Sequence, residues 1–471
     1  MSIFSRIKGW FQMLLKSKAK EEFNILPITS PEMENLIDYC ASVYQGKPAW
    51  EDAEKGIKTI NFAKSVCSET ARLAMLATKI NVDGSARAEW LQGQIDSMYF
   101  LLRQWIEYAM AYGTVILKPS GDAVKLYVPG QFEVTEQSGG KITGALFHNS
   151  ATNEDNTVFY TRLEYHRFEN GAYVITNKCF KGASQNSCDE PVDIALTPWA
   201  GLLEEARILN LDRPLFGVLK TPHANNVEIG SPLALPLVSD ALEELMDLDI
   251  AYSRNATEID ASQRIVLADE VMVAGTGTGN TVNRNILEAQ KRAEKIGLPK
   301  IVKMVHGTGQ ENYYQEINPE LNTEMRLKGI NALLSQIGYK IGFSNGYFVF
   351  NEASGIQTAT GVEAEQQRTI QFIKDVRDQL ESCMRDLIDA MSSIADLYQL
   401  APAGNYEVVF DFGDITYNRD EDRVRWWGYV QAGKIPAWFF FMKFEGMTKE
   451  EAKEMVAEAA PKTPTLFGGE E

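Results

Sequence analysis

The period of the apolar positions changes several times along the chain, and the changes mark its organisation. Between residues 30 and 112 the apolar positions recur at helical spacing. Ser30-Pro31-Glu32-Met33 predicts a helix start, with Pro at the first helical position and acid in the first turn. The longest run, through Trp90, Ile95, Met98, Leu101, Leu102, Trp105, Ile106 and Ala109, stops at Gly113. The pattern then predicts short strands over 114–117, 124–128, 141–147, 158–168 and 172–180. Turn residues separate several of them at Ser120-Gly121-Asp122, Ser138-Gly139-Gly140 and Glu169-Asn170-Gly171, the last a hairpin signal. Phe159, Arg162, Glu164, His166 and Arg167 predict a partly exposed antiparallel sheet. On that sheet His166 reads as a strand-face residue rather than a catalytic one.

Helical spacing returns after Gly230-Ser231-Pro232. Ser231 as N-cap and Pro232 at the first helical position predict a helix from 231 to about 262. It carries seven acids, Asp240, Glu243, Glu244, Asp247, Asp249, Glu258 and Asp260, against one base, Arg254, a net of −6. Leu237, Ala241, Leu245, Leu248 and Tyr252 form the opposite stripe. Residues 263–318 change character, with strand-like Arg264-Ile265-Val266-Leu267, a Gly/Thr/Asn-rich loop at 275–280, a helical piece at 285–296 and strands at 300–305 and 312–317. Asn318-Pro319-Glu320 opens another helix, which Gly342 or Gly346 ends. An irregular stretch precedes a helical pattern from Thr358 to Leu400, about 60 Å long at the usual rise and suited to a strut. Residues 406–412 read as a strand, Asn418–Asp422 and Met447–Ala452 open helices, and the Pro/Gly-rich tail from 461 to 471 reads as disordered. The whole predicts an α+β fold without internal repeats.

Composition adds bounds. The 471 residues, 45% hydrophobic and 23% charged, are those of a globular chain with roughly two to four domains. The 46 Lys+Arg against 64 Asp+Glu leave a net charge of −18, which argues against a protein that reads DNA with a basic face. It does not argue against one that holds DNA without gripping it. The charge is also uneven. From 284 to 303 there are six bases, Arg284, Lys291, Arg292, Lys295, Lys300 and Lys303, against two acids, a net of +4. That stretch is either a docking surface or a solvated helix face. Residues 1–20 hold Arg6, Lys8, Lys16, Lys18 and Lys20 with no acid, and place Ile3, Phe4, Ile7, Trp10, Phe11, Leu14 and Leu15 at helical spacing. A helix docking on another subunit is the favoured reading, and a membrane-surface helix the other. No run reaches the ~18 uncharged apolar residues of a spanning helix, no signal-peptide pattern is present, and no membrane partner is expected.

Candidate chemistry is sparse. Cys40, Cys67, Cys179, Cys188 and Cys383 are scattered, with no CxxC, so a reducing compartment is expected rather than a disulfide or zinc framework. His148, His166, His223 and His306 stand far apart. Gly275-Thr276-Gly277-Thr278-Gly279-Asn280 is the one phosphate-cradle candidate and supports the alternative of a nucleotide-binding enzyme. It lacks the lysine of a P-loop, and a flexible tip is the favoured reading. Acid pairs such as Glu243/Glu244 and Glu450/Glu451 lack a companion His or Lys and read as solvated faces rather than acid–base or Mg²⁺ sites. Trp426-Trp427 and Trp438-Phe439-Phe440-Phe441 read as core or subunit contact rather than a base-stacking platform. No enzymatic activity and no catalytic, cofactor or metal residue is expected.

The informative feature is an order: an acidic helix out to a small, locally basic module, a second helix back, a loop, then a strut-length helix. This order resembles the portal proteins of tailed bacteriophages, in particular those of long-tailed phages of Gram-positive hosts. The run Ile341-Gly342-Phe343-Ser344-Asn345-Gly346-Tyr347-Phe348-Val349-Phe350 and the run Gly355-Ile356-Gln357-Thr358-Ala359-Thr360-Gly361-Val362 carry the likeness. Gln357 stands where that family usually has Lys, and Gly361 where it usually has Glu. The stretches from Phe4 to Phe11, Val430 to Pro436 and Thr448 to Ala452 are similar too, so short motifs span most of the chain.

The resemblance implies a portal-like α+β fold and a ring of about twelve copies at the capsid vertex of a virion. Such a ring passes double-stranded DNA without sequence specificity during packaging and ejection. It also implies partners: the terminase large subunit, scaffolding and major capsid proteins, and a head-completion protein, with assembly in the host cytoplasm. Residues 1–230 correspond to the wing, 231–262 and 319–344 to two stem helices, and 263–318 to the clip. Residues 345–357 correspond to the tunnel loop, 358–417 to the long wing helix and its strand, and 418–471 to the crown with its flexible tail. The tunnel loop is then Asn345, Gly346, Tyr347, Phe348, Val349, Phe350, Asn351, Glu352, Ala353, Ser354, Gly355, Ile356 and Gln357. The six bases of 284–303 become clip docking bases. An acidic wall repels phosphates and favours sliding, so Asp240, Glu243, Glu244, Asp247 and Asp249 are candidate channel-wall acids. Their spacing fits a face toward the channel or one toward solvent.

Overall fold

In a computed structural model of the chain, the Ser30 hydroxyl accepts from the Met33 amide at 3.2 Å and caps helix α1 (Pro31–Tyr44). The structure describes the chain apart from residues 1–16, 19, 27, 122, 154, 156, 185–186, 262–264, 270–301, 306–313, 318–322, 351–358, 414–418, 446 and 460–471. Helices α2 (Phe62–Ala74) and α3 (Ala86–Tyr112) follow α1, and between them lies a strand that the helical reading missed, β1 (Thr78–Gly84). Its buried Thr78, Ile80 and Val82 alternate with exposed residues, a period-two window too short to stand out among helices. Gly113 ends α3 at φ 82°, and a Cβ there would lie 2.2 Å from the Ala234 carbonyl oxygen. Only glycine meets both the backbone angle and the close approach.

The next segment is β-rich: β2 (Thr114–Ser120), β3 (Ala123–Tyr127), β4 (Phe132–Ser138), β5 (Lys141–Thr152), β6 (Phe159–Glu169), β7 (Ala172–Gly182), β8 (Glu190–Val192), β9 (Glu205–Leu209) and β10 (Gly217–Lys220). The sequence pattern finds β2, β3, β5, β6 and β7 and misses the other four. One sheet has the order β10-β2-β3; the other runs β4-β5-β6-β7-β8, with β9 also paired to β7. Asn170 and Gly171, with φ 52° and 77°, make the predicted tight hairpin between β6 and β7. Met33 and Ile37 of α1 join Ile116, Phe132, Val134, Phe147, Phe216 and Leu233 in one core cluster.

Two expectations are corrected. The sheet is not partly exposed along β6, because Thr161 to His166 are all buried. Leu163 and Tyr165 pack with Leu146 and Phe180 on one face, while Arg162, Glu164 and His166 point inward on the other, where Arg162 pairs with Glu164 and His166 hydrogen-bonds to it. The polar phase of the alternation marks an inner ionic network rather than solvent. The second correction is that no helix starts at Ser231. Residues 231–238 form an irregular strap, and a 3₁₀ turn (Ser239–Ala241) leads into α4 (Leu242–Ala261). The strap spends its backbone on distant groups. The Ala234 amide donates to Thr114 Oγ1 and the Leu237 amide to the Met110 carbonyl, both at 2.8 Å, and the Leu235 carbonyl accepts from Thr221 Oγ1 at 2.7 Å. Pro236 would remove a helical hydrogen bond, and burial of Leu233, Leu235 and Leu237, at about 1.5–3 kcal/mol each, favours the strap.

Beyond α4 lie β11 (Ile265–Asp269), β12 (Val302–Val305) and β13 (Tyr314–Ile317), in the order β12-β11-β13. β11 is parallel to β12 and antiparallel to β13. Helix α5 (Thr323–Ile341) ends at Gly342, φ 118°, which decides between the two glycines that the sequence offered. Helix α6 (Ala359–Tyr398) has the predicted strut length of 40 residues. Its buried stripe of Ile373, Val376, Leu380, Cys383, Leu387 and Met391 recurs every three or four positions and packs against α2, α3, β2 and β10. β14 (Tyr406–Phe412) pairs with β1.

The chain divides into two compact units, residues 1–411 and 412–471. The second holds α7 (Arg419–Gln431), α8 (Ala437–Glu445), which the sequence reading missed, and α9 (Lys449–Ala459). Phe440 and Phe444 are buried and the tryptophan–phenylalanine group packs around them: Trp426 stacks on Phe439 at 5.6 Å, and Trp427, itself 40% exposed, meets Phe440 at 4.9 Å. Thr448 and Glu451 close a reciprocal capping box on α9.

Candidate functional site

The acidic helix α4 is held by α5. Lys340 near the end of α5 reaches Glu244 at 2.6 Å and the Asp240 carbonyl at 2.9 Å, and Gln336 donates to Glu244 at 3.1 Å. The start of α4 therefore meets the end of α5. At the other end β11 follows α4, β13 precedes α5, and Ile265 pairs with Ile317. The two helices are an antiparallel hairpin with the β11–β13 sheet at its tip.

The five candidate wall acids divide. Asp240, Glu243 and Asp247 are exposed along one stripe at spacings of three and four, with Arg254 exposed beyond them. Glu244 and Asp249 are buried, at 9% and 3% exposure, and are corrected out of the acidic face. Glu244 is spent on Lys340 and Gln336. Asp249 accepts from Trp50 Nε1 at 2.9 Å and the Ile60 amide at 3.0 Å, so it ties the loop after α1 onto α4. Both carboxylates are buried and turned to donors of their own chain, away from the exposed stripe.

The loop assigned to 345–357 is described through Phe350, and that part is anchored rather than projecting. Tyr347 donates its hydroxyl to Glu69 at 2.5 Å, and Glu69 is held below its usual pKa, first by Arg72 at 2.6 Å. Phe343, Tyr347 and Phe348 cluster with Phe62 of α2 and Phe372 of α6. Asn331 of α5 grips Phe350 with its side-chain amide, accepting from its N–H at 3.0 Å and donating to its carbonyl at 2.9 Å. The Ser344 amide donates to the Thr369 hydroxyl of α6 at 2.8 Å, and the Thr369 amide donates to the Ser344 hydroxyl at 3.2 Å. Asn351, Glu352, Ala353, Ser354, Gly355, Ile356 and Gln357 lie outside the described residues. So do Arg284, Lys291, Arg292, Lys295, Lys300 and the loop 275–280. Lys303 sits on β12 opposite Leu267.

His166 is a strand-face residue, as the sequence pattern predicts, inside a network that the pattern did not reveal. Glu164 receives Lys118 Nζ at 2.7 Å, Arg162 Nη2 at 3.0 Å, His166 Nε2 at 2.9 Å and Asn149 Nδ2 at 3.2 Å. A carboxylate acceptor puts the imidazole proton on Nε2, which leaves Nδ1 to accept from the Tyr173 hydroxyl at 2.8 Å. Burial pushes the Glu164 carboxyl up, but Lys118, His166 and Arg162 outweigh it and hold it well below its usual value. Burial lowers the pKa of His166, of His223, and of His148, the last to about 4.

These histidines predict a sign. Their folded pKa values lie below the unfolded value of about 6.5, so the unfolded chain takes up protons first. Stability is full above that pH and falls as the pH drops toward the folded value. His148 alone should remove about 2 kcal/mol between pH 6.5 and 5, at 1.36 kcal/mol per unit. Urea unfolding at the two pH values checks this, and His148→Gln should flatten the profile by about that amount.

No family model matches the chain, and no curated protein does. Solved structures do. A chain in the virion of a native gene transfer agent particle is 12% identical, with 90% of this chain and 95% of that one covered at a TM-score of 0.44. A chain in the neck of an empty particle of this kind, computed with C6 symmetry, is 12% identical over 89% and 95% of the two chains, at 0.45. One in the neck of the native particle, computed with C12 symmetry, is 11% identical over 89% and 94%, at 0.43. Likenesses this distant carry nothing by themselves, and the functional reading rests on the chain's own residues. Among the described residues, no helix is long and apolar enough to cross a membrane, and no cluster of His, Cys, Asp and Glu is placed to hold a metal ion.

Proposed function

We propose that the chain is the subunit of a portal ring, in which about twelve copies close at one capsid vertex of a tailed phage and conduct double-stranded DNA without catalysis. The observation that carries this reading is the α4–α5 hairpin with its small sheet at the tip, followed by an anchored aromatic turn and the 40-residue α6. That is the order on which the sequence resemblance rests. In this reading α4 and α5 are the stem, and Asp240, Glu243 and Asp247 repel phosphates from the wall. The β11–β13 sheet is the clip, where the terminase large subunit and then a head-completion protein dock. Tyr347 to Phe350 are the root of the tunnel loop, and residues 351–357 carry its contact with DNA. Scaffolding and major capsid proteins meet the outer face, in the host cytoplasm during assembly and in the virion afterwards.

Electron microscopy and native mass spectrometry of the purified chain, alone and with its scaffold, test the reading. Closed rings of twelve or, free in solution, thirteen copies are expected. Monomers or dimers alone at every concentration would end it.

A further inference from the structure

A groove beside β7 has the chemistry to take a basic amphipathic segment. β8 pairs with Cys179–Lys181 and β9 with Ala172–Thr176 on the same edge of β7. Between them opens a space of about 330 Å³, with Phe180 and Ile194 among its apolar lining and Glu22, Asp193 and Glu204 among its polar lining. Among the described residues, Lys178 is the one base that lines it. From Ser187 to Ala206 the chain carries five acids, Asp189, Glu190, Asp193, Glu204 and Glu205, and no base. Leu196 and Leu203 stand 72% and 69% exposed in the same stretch. Residues 1–16 are the complement, with Arg6, Lys8 and Lys16, no acid, and seven large apolar residues at helical spacing.

The chain also enters the described structure at this place. Lys18 Nζ lies 5.3 Å from the centre of the Phe180 ring, Glu22 lines the groove, and Phe23 and Ile25 pack on the cluster that contains Phe180. Residue 17 therefore stands beside the groove, and sixteen residues in a helix span about 24 Å. We propose that residues 1–16 dock across this groove of their own chain, with the apolar stripe over Leu196 and Leu203 and the bases against Glu22 and Glu204. The proposal is independent of ring formation and of the portal reading.

Hydrogen exchange on the full chain tests it. Amides of residues 1–16 should exchange at least tenfold more slowly than in the free peptide. The double variant Glu22→Lys/Glu204→Lys should lose that protection while β5, β6 and β7 keep theirs. Adding Arg6→Glu/Lys8→Glu should restore it. Peptide-like exchange in the wild type, or protection indifferent to the double variant, overturns the proposal. Protection that vanishes on dilution to monomer assigns the segment to a second copy and overturns docking in cis. Protection that needs vesicles of anionic lipid assigns it to a membrane surface and overturns it as well.

Discussion

Glu164→Leu should cost the first unit about 3–5 kcal/mol, read as a lower urea midpoint at fixed protein concentration. The residue is 6% exposed and is the one carboxylate facing Lys118, Arg162 and His166 in the contacts described. Removing it leaves two buried cations whose partner cannot be replaced by water. The loss should therefore far exceed that of an exposed pair, which is worth about 0–1 kcal/mol. Lys118 also lies 5.2 Å from the centre of the Phe147 ring, in an apolar site that a methionine would fill. Hence Lys118→Met/Arg162→Leu/Glu164→Leu should recover most of the loss, because replacing a whole buried ionic group by hydrophobic residues is often neutral. A single variant within 1 kcal/mol of wild type would sink this account. So would a triple variant no better than the single.

Arg87→Met should destabilise by a similar amount, about 3–5 kcal/mol, through a different mechanism. Arg87 is 1% exposed at the start of α3. Its guanidinium donates to the carbonyls of Ser392 at 2.6 Å, Ala401 at 2.9 Å and Pro402 at 2.9 Å, and pairs with Asp396. Ser392 lies within the last two turns of α6 and Ala401 and Pro402 in the chain just beyond it, so the one guanidinium ties that chain turn to the start of α3. Methionine fills the volume and supplies no donor. Arg87→Lys should recover only part of the loss, since one ammonium cannot reach a spread of carbonyls that the planar fork spans. Hydrogen exchange should show the loosening at 395–402. Unchanged exchange there, together with an unchanged urea midpoint, would contradict the assignment.

Much of the fold was legible because it is written in local period. The 40-residue α6, the Asn170-Gly171 hairpin, the Ser30 cap and the end of α3 at Gly113 all depend on residues close in sequence. The strap of 231–238 was misread because Ser231-Pro232 satisfies the local rule for a helix start, while the hydrogen bonds that prevail come from Met110, Thr114 and Thr221. Pro236 was the local signal that argued against a helix there. β8, β9 and β10 were missed because strands of three to five residues carry too little alternation to be distinguished from loops.

For the candidate site, the sequence by itself determined the amount of charge and its order along the chain: an acidic helix, a basic stretch, an aromatic turn and a strut. The tertiary structure decided direction. Asp247 faces out and Asp249 faces in, on one helix and two residues apart, because the Trp50 indole and the Ile60 amide wait on one side. Glu164 reads as a surface acid until Lys118, 46 positions earlier, closes on it. Arg87 is an ordinary helix residue until carbonyls more than 300 positions later need its protons. Period and composition are local properties of a chain. Whether a polar side chain meets water or a buried partner depends on residues that only the fold brings together, and the desolvation of a charge makes that partner decisive.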